Sequence, residues 1–292
     1  MDYVGHVIRP PSEAYSLILQ VTVSCSHNMC TFCGTYKDHK FYLKDMNTIK
    51  RDIDEASKHR YSYSKAFLAD GDVLILPTEK IIEIISYIKD KIPSIKRFGV
   101  YGNTKSIIKK SPSELKELKD AGLGIVYQGL ESGNKEVLRK IKKGAFPHRM
   151  IETGHKVIDA GMLLSCTVLL GIGGTELSKV HSVDTGKLLN EISPQYASAL
   201  TVMLLPNTEL YRDHQSGKFK LPSKLELLVE LKTIIENMNV SRNCFFSANH
   251  ASNYLPIQAN LPGEKEAVLK LISKVLDSGD ETMLKPEGMR AL

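Results

Sequence analysis

Short apolar runs alternate with amphipathic stretches along most of this chain of 292 residues. The first run, Leu17-Ile18-Leu19-Gln20-Val21-Thr22-Val23, is rich in β-branched residues and bounded by polar ones, which predicts a buried strand. Asn47 stands where it would cap a helix running to about His59, and Lys65 to Asp70 reads as a second strand. Pro77 opens a helix whose Ile81, Ile85, Ile88 and Ile92 fall on one face. Arg97 to Tyr101 is a third strand. Ser111-Pro112-Ser113-Glu114 then has the form of a capping box with Pro at the first helical position, and Gly122 ends that helix. Ile125-Val126-Tyr127 continues the alternation, followed by helices from about Lys135 and from Arg149 to Ala160. Leu163 to Leu170 is the fifth strand, a helix follows near residues 177–190, and Ala199 to Leu205 is the sixth. Asn207 to Lys220 is a polar excursion. A helix over Ser223 to Asn239, a strand at Cys244 to Ser247 and a helix over Lys265 to Leu276 complete the pattern.

Strand followed by helix, about six times over, implies a parallel sheet with right-handed crossovers. Such a sheet either closes into a full or partial barrel or stays open and doubly wound, and the pattern alone does not choose. In either case, functional residues gather at the carboxyl ends of the strands.

Composition narrows the class. A hydrophobic fraction of 42% and a charged fraction of 25% suit a soluble globular protein. No apolar run reaches the ~20 residues of a membrane helix, and the first residues lack a signal-peptide pattern. The net charge of +6 is spread over helical faces, which favours a small-molecule substrate over nucleic acid. The chain has five cysteines, an odd number, three of them clustered. That usage points to chelation in a reducing cytoplasm and away from a disulfide framework.

The clustered thiols, Cys25, Cys30 and Cys33, lie within nine residues directly after the first strand. Thiolates are soft metal ligands, and one short loop can wrap an ion or cluster. A closed structural zinc site needs four ligands, and an electron-transfer iron–sulfur cluster normally takes four cysteines. Three thiolates on a four-iron cube leave one iron open to a non-protein ligand. Zinc on the three cysteines with His27 or His39 is the alternative.

Cys25-x4-Cys30-x2-Cys33, with Phe32 before the last cysteine, resembles the cluster loop of the radical S-adenosylmethionine (SAM) superfamily, whose usual spacing has three residues in the first gap. The stretch Gln128 to Asn134, continuing to Gly144, resembles the branch that holds methylthiotransferases, the Elongator-type acetyltransferase and coproporphyrinogen dehydrogenase. The resemblance implies an α/β fold: a partial (β/α)6 TIM-type barrel over residues 16–210, a lead-in over 1–15 and a C-terminal extension over 211–292 packed on the barrel. It implies a [4Fe-4S] cluster on the three cysteines whose open iron chelates SAM. Reductive cleavage would then give a 5'-deoxyadenosyl radical that abstracts hydrogen from a substrate. A flavodoxin or ferredoxin would supply the electron.

The same resemblance assigns strand-end residues. Gly71 and Asp72 match the segment that receives the SAM ammonium group, and Phe32 lies toward the adenine side. Glu131 matches a strand-four carboxylate that contacts SAM, and Arg149 is a partner for the SAM carboxylate. Gly171, Gly173 and Gly174 match a glycine-rich turn against adenine. On the substrate side, Tyr101 and Asn103 follow the third strand, and His250, Asn253 and Tyr254 follow the last. Cys166 and Cys244, in apolar or mixed runs, read as packing residues. Two other readings stay open: a zinc-stabilised α/β protein without redox chemistry, and an iron–sulfur relay module without SAM chemistry.

Overall fold

The computed structural model describes residues 1–59 and 62–291. Among them, eight strands form one sheet, and two more form a separate ladder. By internal contacts the chain divides into two compact units. The first is Met1–Asn28, Thr35–Gln128 and Glu152–Leu164; the second is Met29–Gly34, Gly129–Ile151 and Ser165–Leu292.

In the first unit, β1 (Leu17–Gln20) pairs parallel with β4 (Lys65–Ala69), and β4 with β5 (Arg97–Tyr101). β5 in turn pairs parallel with β6 (Leu123–Glu131). The opening apolar run does not stay in one sheet. Val21 donates its N–H to the Ala69 carbonyl and accepts from the Lys44 N–H, so the chain turns there. Beyond it β2 (Thr22–Val23) joins β3 (Tyr42–Leu43) as an antiparallel ladder that brackets the cysteine loop. α1 (Met46–Ser57) starts two residues earlier than expected because Asp45, not Asn47, is the cap: its Oδ2 accepts from Thr48 N–H at 3.0 Å.

α2 (Thr78–Lys91) turns its isoleucines inward; Ile81, Ile85 and Ile88 are buried, as is Ile92 just past its end. Each such side chain contributes roughly 1.5–3 kcal/mol by leaving water. α3 (Thr104–Lys109) is a six-residue helix that the apolar pattern does not reveal. α4 (Pro112–Ala121) has the expected capping box and stops at Gly122, whose φ of +120° favours glycine. The lead-in is more than extended chain. A 3-10 turn at Pro11–Glu13 sends the Glu13 carboxylate inside, where Oε1 accepts from Arg97 Nη2 and Tyr127 Oη, both at 2.6 Å.

The second unit carries the short α5 (Lys135–Lys140), and α6 (Pro147–Asp159) begins in it. β7 (Leu163–Leu170) pairs parallel with β8 (Tyr196–Thr201), and β8 with β9 (Cys244–Ser247). β8 ends earlier than the apolar run Ala199 to Leu205 suggests. Leu205 instead begins a turn: its carbonyl accepts from both the N–H and the Oγ1 of Thr208, which caps α8 (Glu209–Gln215). The polar excursion thus contains a helix. α7 (Gly174–Ile192) packs on α9 (Lys224–Glu236). β10 (Gln258–Leu261), antiparallel to β9, was not legible because four residues of alternating exposure carry little pattern. α10 (Lys265–Ser278) closes the series. Among the described residues, no helix is long and apolar enough to cross a membrane.

Candidate functional site

The cysteine loop is held from its base. In the first unit, Ser24 and Asn28 adopt positive φ, and the Asn28 Nδ2 donates to Ser24 Oγ at 3.2 Å and to the Tyr36 carbonyl at 2.6 Å. Lys37 Nζ donates to the Asn28 carbonyl at 2.9 Å. In the second unit, Thr31 N–H donates to the Ile141 carbonyl, Leu210 N–H donates to the Thr31 carbonyl, and Asn207 Nδ2 donates to the Gly34 carbonyl. These ties run through backbone and through Ser, Asn and Lys side chains. Cys25, Cys30 and Cys33 are half-buried, and so is Phe32. Cys166 and Cys244 are buried, and burial pushes the Cys244 thiol up to about 12, so neither is a ready thiolate. Among the described residues, no three His, Cys, Asp or Glu side chains meet at the spacing of a single-ion site.

The carboxyl end of β4 carries the densest polar structure of the first unit. Gly71 is fixed by contact: a Cβ there would lie 2.8 Å from Tyr36 Cε2 and 2.9 Å from Cys25 Cβ. Glycine is needed because the strand end touches the first cysteine. Asp72 is fully buried. Its Oδ1 accepts from Asn103 N–H at 3.1 Å, and its Oδ2 accepts from Asn103 Nδ2, Ser106 Oγ and Ser26 Oγ. Instead of presenting an open carboxylate to a ligand, Asp72 uses its oxygens to tie the cysteine loop to α3. Asn103 is committed as well, since its Oδ1 caps α3 through Ser106 N–H. Both depart from the ligand contacts that the sequence suggested.

The residue that sequence reasoning passed over is Asp70. It is buried; Tyr36 Oη donates to it at 2.6 Å and Gln20 Nε2 at 3.0 Å. Burial raises its carboxyl to about 6, against the pull of those donors and the Ile8 backbone. Burial, then Asp70, pushes the Tyr36 phenol far above its ordinary range. Tyr101 stacks edge-on to Phe67 at 5.0 Å and to Tyr127 at 6.1 Å, an aromatic group within the unit. The available signal was two acids around one glycine at a strand end.

In the second unit, Glu131 ends β6 with φ of +65°, and Ser132 N–H reaches back to the Leu130 carbonyl. A non-glycine residue at the centre of so tight a turn costs on the order of 1–3 kcal/mol, and such strain collects at functional sites. The Glu131 Oε1 accepts from Lys143 Nζ at 2.8 Å in a mostly buried pair. Arg149 lies exposed in the first turn of α6. Gly171 and Gly174 have φ of +80° and +62°, and Gly173 is the N-cap of α7. Gly171 is buried against Leu227, and its N–H donates to Glu230 Oε2 at 2.6 Å.

The residues after β9 turn inward. Asn253 accepts from Thr201 Oγ1 and donates to the Ala199 carbonyl, both at 2.8 Å. Tyr254 lies 4.5 Å beneath the Arg290 guanidinium, which donates to its Oη, and burial raises the phenol to about 12. His250 is half-buried beside Ser252, and burial together with Lys285 lowers its imidazole. Asn253 and Tyr254 therefore bind the C-terminal segment to the sheet and are not open substrate contacts.

A family model described as the radical SAM superfamily matches residues 19–184, a little over half of the chain. Solved structures share the fold at low identity. Methylornithine synthase is 16% identical with a TM-score of 0.53, over 77% of this chain and 63% of that one. Coproporphyrinogen III oxidase from Escherichia coli, a radical SAM enzyme, is 17% identical with a TM-score of 0.55, over 76% and 52%. The archaeal Methanocaldococcus infernus Elp3 lacking its N-terminus is 14% identical with a TM-score of 0.52, over 95% and 64%. The chain thus spans less than two thirds of each of these proteins. No protein of curated function matches it in sequence.

Proposed function

The chain belongs to the radical SAM superfamily, and from that premise we propose that it is an enzyme holding a [4Fe-4S] cluster on Cys25, Cys30 and Cys33 with SAM beside it. Members of this superfamily bind both groups. When bound, the cluster and SAM supply one-electron cleavage of SAM and hydrogen abstraction from a substrate.

The donor set fits. Three half-buried thiols outside any disulfide, on one short loop, are soft ligands suited to iron. The single observation that carries the reading is Gly71, where the end of β4 closes on Cys25 with no room for a side chain. In this reading the backbone at Gly71 approaches the ammonium group of SAM, Asp72 orients the loop through Ser26, and Glu131 contacts SAM from its strained turn. Arg149 faces the carboxylate of SAM, while Phe32, Gly171, Gly173 and Gly174 line the adenosine. We assign a small-molecule substrate, a flavodoxin- or ferredoxin-type reductant and a reducing cytoplasm, where thiolates persist.

The test is SAM cleavage by the anaerobically reconstituted chain under dithionite, followed as 5'-deoxyadenosine, with Cys30→Ala as control. Deoxyadenosine from the wild type and at least a hundredfold less from the variant is the expected result. Zinc without sulfide in protein purified without air would overturn the reading. So would an intact cluster whose EPR spectrum does not respond to SAM.

A further inference from the structure

Beneath the Gly171 turn, the second unit buries polar groups that the proposed chemistry does not use. His181 on α7 and Glu230 on α9 are both inaccessible to solvent, and His181 Nε2 stands 4.0 Å from Glu230 Oε2. Burial lowers the imidazole to about 4, with the Leu169 carbonyl opposing, so the ring is neutral near pH 7. Burial raises the carboxyl to about 7, opposed by Ser178 and the Gly171 N–H and reinforced by Glu226.

The hydrogens can be followed. Asn134 N–H donates to Ser132 Oγ at 3.0 Å, which leaves the Ser132 proton for His181 Nδ1 at 2.8 Å. Gly133 N–H donates to Thr185 Oγ1, which lies 3.4 Å from the same Nδ1. With Nδ1 accepting from these hydroxyls, the ring proton sits on Nε2, on the side of Glu230 and the Leu169 carbonyl. From the other side, Gly171 N–H donates to Glu230 Oε2. One buried polar file thus runs from Ser132, next to Glu131, to His181, and across a 4.0 Å gap from His181 Nε2 to Glu230 and Gly171.

The backbone is seated on the same two helices. A Cβ at Gly133 would lie 2.1 Å from the Asp184 carbonyl oxygen, and one at Gly171 would lie 2.8 Å from Leu227 Cδ2. One turn of α7 (His181, Asp184, Thr185) therefore holds the end of β6, and one turn of α9 (Leu227, Glu230) holds the end of β7. His181 Nε2 and Glu230 Oε1 lack a partner at full hydrogen-bond geometry, the Leu169 carbonyl and Ser178 being the neighbours that act on the two side chains. Buried polar groups left so are uncommon and costly, and apolar residues would pack there without that cost.

We propose that His181 and Glu230 are positioning residues for SAM, holding the Glu131 turn and the Gly171–Gly174 turn at one fixed spacing so that the adenosine meets preformed backbone. The inference rests on the reading that these two turns receive SAM. Neither side chain touches the ligand. Breaking the polar file at either residue loosens both turns and weakens SAM binding, while the cysteine loop still takes up iron.

The experiment uses the full chain, reconstituted without air. SAM affinity is measured by calorimetry, and iron is counted. Amide hydrogen exchange is followed over residues 130–134 and 169–174 of the SAM-free protein. His181→Ala and Glu230→Ala are expected to weaken SAM binding about tenfold and to speed exchange in both segments, with iron content unchanged. Glu230→Gln, which keeps an oxygen for the Gly171 N–H, is expected to restore both readouts to within about threefold of wild type. If an alanine variant does not fold, His181→Asn and Glu230→Gln carry the comparison. His181→Asn keeps an acceptor for Ser132 but has no Nε2–H, so it should free 169–174 more than 130–134. Wild-type affinity in variants that retain iron would overturn the proposal, as would faster exchange confined to the mutated side. A wild-type chain that holds its cluster and does not bind SAM would instead overturn the function proposed above.

Discussion

At the scale of single residues, backbone position decides the chemistry more than side-chain type does. Gly71 matters because nothing larger fits between Tyr36 and Cys25. Gly71→Ala should keep the fold, since the clash falls on an aromatic edge and a loop, and should at least halve the iron retained after reconstitution. Iron analysis beside circular dichroism checks both parts. Asp72 and Asp70 show the converse. Asp72 reads as a contact for the SAM ammonium group and Asp70 as the last residue of a strand, and both are buried acceptors, Asp72 for Ser26, Asn103 and Ser106, Asp70 for Tyr36 and Gln20. A carboxylate surrounded by neutral donors is a brace, and the sequence could not reveal this because the donors come from three separate segments. Glu131 was legible as a strand-end acid. Its partner Lys143 and its positive φ were not.

At the scale of elements, periodicity and capping are local, and the elements that depend on them came out close to their expected bounds. α4 is the clearest case: Ser111 Oγ accepts from Glu114 N–H, and the Glu114 carboxylate accepts from Ser111 N–H. Ser111→Ala should lower stability by about 1 kcal/mol in urea unfolding and leave SAM chemistry unchanged. Where local signals failed, a longer-range partner had intervened. Val21 divides the first apolar run between two ladders, and Leu205, at the end of the sixth apolar run, begins the turn that Thr208 carries into α8. The cysteine loop likewise makes hydrogen bonds with partners beyond it in sequence, Tyr36 in the first unit and Ile141 and Asn207 in the second. Removing iron with a chelator should therefore leave the far-ultraviolet spectrum unchanged and lower Tm by only a few degrees, unlike a zinc finger, which unfolds without its ion.

At the scale of the whole molecule, buried ionisable groups set the response to pH. The folded carboxyl of Glu230 lies at about 7, above the 4.5 of an ordinary glutamate, so the folded state holds its proton longer than the unfolded chain. That contribution is complete below about pH 4.5 and is lost as pH rises toward 7. His181 works the other way: held near 4 against 6.5, it contributes above pH 6.5 and is lost as pH falls toward 4. Glu230→Gln removes the first effect alone. Its stability relative to wild type should therefore climb between pH 4.5 and 7 and level off above, as measured by urea unfolding at stepped pH. The sequence by itself determined the repeat of strand and helix, the spacing of the cysteine loop, and the glycines and acids at the strand ends. Those follow from periodicity, thiol spacing and glycine, which act over a few residues. Tertiary structure alone decided which acids are open and which are braces, and that Asn253 and Tyr254 turn inward. It also brought Ser132, His181, Glu230 and Gly171 together in one buried polar group. Those outcomes depend on donors and acceptors far apart in sequence, whose pairing is fixed only when burial takes water away.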